Sequence, residues 1–168
     1  MCSIHTDGIF FLYYIIKMNY LDYVYILTPV LLAIITNGII YGLGWNDTNN
    51  YTTNDTYSLL PPGWMIGMIW IIIFGFLGKI LQLTVKSRDY VSLVLISILI
   101  IICLAYPFYT NGLKMNNISL LGDTITLIYA FSISLIMLNR TQNKSMVYYM
   151  IPILVWCSYV NIVDSLRK

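Results

Sequence analysis

The chain has 168 residues, 59% of them hydrophobic and only 10% charged, with a mean hydropathy of +0.77. A soluble domain carries roughly 25% charged residues, so this composition excludes one and indicates a single integral membrane domain. A net charge of +2 on dispersed Lys and Arg excludes a nucleic-acid partner, while three cysteines without CxxC spacing and one histidine, His5, leave too few ligands for a metal site.

Residues 1–22 form an N-terminal extension. Its apolar run, Ile9 to Ile16, is followed by Lys17 and Asp22, and eight residues cannot cross ~30 Å of hydrocarbon, which takes roughly 20 in a helix. No basic segment precedes the run and no small-residue cleavage site follows it, so no signal peptide is expected. The segment either lies on the membrane surface or extends the chain upstream, with Met18 as an alternative start.

Residues 23–168 form the membrane domain. From Tyr23 to Asn46 nothing is charged, which predicts a first span near Val24–Ile40 with Pro29 near its start and Gly38 open to close helix contact. The loop from Trp45 to Leu60 is the longest, polar and rich in Asn and Thr, and is the candidate lid.

Pro61-Pro62-Gly63-Trp64-Met65-Ile66-Gly67-Met68-Ile69-Trp70 then opens the second span, expected over about 62–83. Proline is tolerated in the first turn of a helix, where its missing N–H has no partner to lose. Trp64 and Trp70 are six residues apart, about 120° on the wheel, so they do not face one neighbour but suit two walls of one cavity. Lys79, near the far end, is expected to snorkel to the headgroups.

A third span is expected over 90–113, stopping at Pro107 and Asn111-Gly112. The fourth runs 120–138, with Asp123 in its first turn, where a carboxylate complements the positive helix end. The fifth runs 146–163, and Tyr148, Pro152, Trp156, Tyr159 and Val163 fall on one of its faces. The fold class is therefore an all-α membrane protein, a five-helix transmembrane bundle. Lys86, Arg88, Arg140 and Lys144 place the basic loops on the side of the N-terminus, against Lys114, Arg167 and Lys168 on the other.

No arrangement for covalent chemistry appears: no catalytic residue, no paired carboxylates, no phosphate-binding loop. Aromatic residues within the membrane recur instead. Such stripes pack helices or form interfacial belts, and they also offer stacking area to a flat hydrophobic ligand.

The Pro-Pro-Gly-Trp-x-x-Gly-x-x-Trp stretch, followed by Gly78, resembles the second-helix signature of the TspO/MBR family, the tryptophan-rich sensory and translocator proteins. In the third span the family's Asn-x-x-Trp-Pro is met by Cys103, Tyr106 and Pro107. In the fifth span Pro152, Trp156 and Tyr159 match, while Asp164 stands where asparagine is usual. The resemblance implies a five-helix bundle, commonly a homodimer, with a pocket below the first loop. It implies no resident cofactor but a porphyrin or related tetrapyrrole as ligand, and sterols too. Trp64, Trp70, Tyr106, Pro152, Trp156 and Tyr159 become the candidate ligand-binding residues, and Pro61, Pro62, Gly63, Gly67, Gly78 and Pro107 the structural motif.

The sterol pattern of the fifth span fails here, since no Lys or Arg follows Tyr159 within five residues, so a sterol is the weaker ligand. The implied membrane is the mitochondrial outer membrane or an endomembrane in a eukaryote, the cell envelope in a bacterium. Two rivals to a receptor or carrier stay open: photo-oxidative breakdown of bound porphyrin, and a structural or interaction protein that has lost its ligand.

Overall fold

A computed structural model describes residues 5–45, 60–113, 116–140 and 144–166. Of the loop from Trp45 to Leu60 expected as a lid, residues 46–59 lie outside them, as do Cys2, Lys114, Arg167, Lys168 and the side chain of His5. Five α-helices form among the described residues: α1, His5–Gly42; α2, Gly63–Lys86; α3, Tyr90–Pro107; α4, Asn116–Arg140; and α5, Ile151–Ser165.

Five segments are long and apolar enough to cross a membrane, Asp22–Gly42, Gly63–Lys86, Tyr90–Gly112, Ile118–Arg140 and Lys144–Ser165, and each contains or closely overlaps the span expected from sequence. The N-terminal extension is not a separate segment of backbone. Helix α1 runs through Lys17 and Asp22 without a break, because no proline precedes Pro29 to interrupt it.

Prolines and polar caps set the joints. Pro62 precedes the first residue of α2 and its carbonyl accepts from Met65 N at 2.8 Å. Helix α2 gives way to a turn in which Arg88 takes the left-handed φ of 56°. Asp89 then caps α3, accepting from Ser92 N at 3.2 Å and Ser92 Oγ at 2.6 Å. After Pro107 the third helix widens into a π-helical turn, Phe108–Gly112, instead of stopping. A 3₁₀ segment, Lys144–Met150, leads into α5, where Pro152 sits in the first turn and gives up no hydrogen bond.

Helices α2, α3, α4 and α5 surround the core, and α1 packs on the outside, chiefly against α2. Accordingly the α1 span is 11% buried, against 28–39% for the other four. The core holds Leu77 and Ile80 of α2, Ile96 and Leu99 of α3, Ile133 and Met137 of α4, and Met150 and Ile153 near the start of α5, each almost fully buried. Leu31, Ile128, Phe131, Val155 and Ile162 are exposed, which in a membrane protein means facing lipid. In that solvent apolar burial does not drive association, so close fit and interhelical bonds must.

Several hydroxyls inside the spans find partners in their own helices. Ser97, Thr126 and Ser134 each donate to the carbonyl four residues earlier, at 2.8 Å.

Candidate functional site

The tightest helix pair frames the site. On the α1 side of α2, a Cβ added at Gly78 would stand 2.7 Å from the backbone oxygen of Ile26 and 2.8 Å from its Cα, so only glycine fits. One turn on, Gly75 faces Val30, and further up Asn37 Nδ2 donates to Gly67 O at 3.2 Å. Gly67 and Gly78 are thus contact residues of the α1–α2 seam.

The opposite side of α2 does not close. It meets the fifth segment mostly through the 3₁₀ stretch, where Phe76 and Tyr149 lie with ring centroids 6.1 Å apart. Beyond that point the helices diverge and leave a groove of about 510 Å³ lined by Ile69, Ile72, Ile73, Pro152, Val155, Trp156 and Tyr159. Its walls are almost wholly apolar. The Trp156 and Tyr159 rings lie 5.7 Å apart and tilted by 36°, with Trp156 9% exposed and Tyr159 37%. A second groove, about 560 Å³, flanks the other side of α5 between Leu127, Phe131, Leu154 and Ile162, again with Val155 and Tyr159 in its wall.

The structure divides the residues that the sequence grouped as one cavity. Pro152, Trp156 and Tyr159 come together in the groove. Trp70 does not line it but packs on Phe74, centroids 5.9 Å apart, beside the core. Trp64 is 61% exposed at the start of α2, so it reaches away from the bundle. Pro61 and Pro62 only set the start of that helix, and Gly63 passes near the Tyr41 hydroxyl.

Tyr106 belongs to a different constellation. Its hydroxyl donates to Asp123 Oδ2 at 2.9 Å, and its ring meets Tyr109 edge-on at 5.4 Å. Asp123 is therefore not a first-turn cap. Helix α4 begins at Asn116, which places Asp123 two turns in, and the carboxylate is 8% exposed among α3 and α4. Polar Asn116 and Asn117 at the helix start concealed this, because they lie outside the apolar run that marked the span.

Asp164, 7% exposed, is within electrostatic reach of the same tyrosine. Nearby, Thr124 Oγ1 donates to Asn161 Oδ1 at 3.2 Å, while Asn161 Nδ2 is buried with no partner among the described residues. Two polar residues in separate apolar spans, Tyr106 and Asp123, were the signal that could have paired them, since groups in hydrocarbon need partners.

Ile69, Ile72, Ile73 and Val155 are the groove residues that sequence reasoning missed. Isoleucine and valine are the ordinary content of any membrane span and carry no mark of a wall. Cys103 and Cys157 are buried free thiols of the core.

Comparison with known proteins agrees with the five-helix fold. The family model described as TspO/MBR family matches residues 25–164. No curated protein and no solved structure matches the chain.

Proposed function

The chain belongs to the TspO/MBR family, and from that premise we propose that it binds a flat hydrophobic ligand, a porphyrin-type tetrapyrrole before a sterol, in the groove between α2 and α5. Family membership and five spanning helices make it an integral multi-pass membrane protein of a broadly ligand-binding and transport class. The tetrapyrrole is the finer reading.

The observation that carries it is the Trp156–Tyr159 ring pair set in an apolar groove of about 510 Å³. That volume falls within the roughly 300–1,000 Å³ of small-molecule sites. Aromatic rings offer a planar ligand stacking area, and their N–H or O–H groups can meet its polar edge. The groove lies along the lipid-facing side of the bundle, so a ligand dissolved in the bilayer reaches it laterally, without crossing water.

Quenching of tryptophan fluorescence by protoporphyrin in detergent-purified protein tests the reading. The wild type gives saturable quenching. Trp156→Phe keeps the fold and weakens the apparent affinity about fivefold, as loss of about 1 kcal/mol of stacking implies. Trp70→Phe leaves the affinity in place. Linear quenching in all three proteins means partition into the micelle and ends the proposal.

A further inference from the structure

A groove that is apolar along its length says nothing about which end of a ligand goes where, and the α2 helix supplies that direction. Lys79 lies seven residues inside the end of α2 at Lys86, about 10 Å along the helix. Its ammonium is tied back to its own helix. It donates to Gln82 Oε1 at 2.6 Å, and Gln82 is 6% exposed, so a buried amide holds the charge at a set depth.

The acids described at this end are engaged elsewhere. Asp22 pairs with Lys86 at 2.5 Å, and Asp89 caps α3. Among the described residues no carboxylate pairs with Lys79, nor with Arg88, Arg140 or Lys144 at the same end of the bundle. An ammonium bound only to a neutral amide keeps its charge uncompensated, and that matters most where the dielectric is low.

Position ties this charge to the groove. Lys79 follows Ile72 by seven residues, two turns, so both project from the same face of α2. Ile72 is a wall of the groove, the half-buried Phe76–Tyr149 ring pair follows along the same side, and Lys79 stands one turn beyond Phe76.

We propose that Lys79 anchors the acidic head of an amphiphile whose apolar body lies in the α2–α5 groove. The head is a carboxylate or phosphate at one end of the molecule. The body reaches about 15 Å, the rise over the ten residues from Lys79 back to Ile69, and ends against Trp156. This inference rests on the groove being a ligand site, and it adds the ligand's charge and orientation.

Dibrominated stearate and its methyl ester share one apolar body and differ in the head, and bromine quenches tryptophan on contact. The two are titrated into the full chain in neutral detergent, with Lys79→Gln, Lys79→Arg and Trp156→Phe alongside. In the wild type the acid saturates at about tenfold lower concentration than the ester, the size of one charge-assisted hydrogen bond. Lys79→Gln brings the two curves together by weakening the acid alone, Lys79→Arg restores the gap, and Trp156→Phe removes most of the saturable signal.

An acid-to-ester ratio unchanged in Lys79→Gln overturns the anchor. The groove itself then stands or falls on Trp156→Phe, so the two failures are told apart. Absence of saturable quenching by either probe overturns both. Dibrominated phosphatidic acid against dibrominated phosphatidylcholine identifies the source of the head: a Lys79-dependent gap in this pair makes it a membrane phospholipid, and a gap in the stearate pair alone makes it a free fatty acid.

Discussion

On the side of α2 that meets α1, Gly78 lies against the backbone of Ile26 while Gly67 and Gly75 take the side chains of Asn37 and Val30; on the opposite side Ile69, Ile72 and Ile73 stand away from α5 and leave a groove. One helix, with the same lipid around it, makes a seam with one neighbour and a site with the other. The difference shows what holds a bundle together in a solvent as apolar as its core. Small residues let dispersion and interhelical bonds act, whereas bulky residues facing proline and aromatics keep the partner at a distance. A loose helix contact is then where a ligand replaces protein.

The largest way to break this contrast is Gly78→Ala. Its Cβ would meet backbone atoms of Ile26, which cannot rotate aside, so α1 must shift. Overpacking of this kind costs about 3 kcal/mol, read as lowered thermal stability in detergent. A stability within about 0.5 kcal/mol of wild type would show that the seam does not need the close approach.

Tyr106→Phe is a probe inside the ring, away from both sides of the comparison. It removes the donor to Asp123 and leaves a buried carboxylate short of one bond, with an expected loss of about 1–2 kcal/mol. Ligand affinity in the groove stays the same. A change in affinity with stability intact would place Tyr106 in the binding site after all.

Asn37→Ala removes a side-chain hydrogen bond across the seam, to Gly67 O, and leaves the Asp22–Lys86 pair in place. Interhelical hydrogen bonds in membranes average about 0.6 kcal/mol, so the loss is small. Measured together with Gly78→Ala, it ranks fit against bonding in the same seam, and fit is expected to dominate.

Ile72→Trp has the smallest effect on stability and the sharpest on the contrast. Ile72 is 56% exposed, so a larger ring there is accommodated within about 0.5 kcal/mol. It fills the groove, however, and saturable protoporphyrin quenching disappears. If binding survives, the ligand lies elsewhere and the open side of α2 is only a lipid-facing surface.

Much of this was legible without coordinates. Apolar runs of about 20 residues with at most one charge each located the five spans, since a bilayer imposes one length on any crossing helix. The Pro61-Pro62-Gly63 start of α2 and the glycines after it were readable as well, because proline and glycine have few uses inside a span. The face shared by Pro152, Trp156 and Tyr159 followed from helical spacing, and the three do share a groove.

Other assignments depended on neighbours that no linear pattern specifies. Trp64 and Trp70 are 120° apart in any helix, yet whether each meets a cavity, a core or lipid depends on where α1, α3 and α5 dock. Asp123 looked like a helix cap because apolar content marks the hydrocarbon boundary and not the first helical residue.

The sequence by itself determined that this chain crosses a membrane five times, where each crossing lies, and which family it resembles. Those properties come from single-helix physics, the transfer of side chains to hydrocarbon and the local geometry of Pro and Gly. Tertiary structure alone decided that α2 closes on α1 and opens on α5, that Tyr106 bonds Asp123, and that Lys79 lies in line with the groove. Each of these is a relation between helices, and in a membrane such relations are set by shape and by the few polar groups that must find partners, information spread across the whole chain.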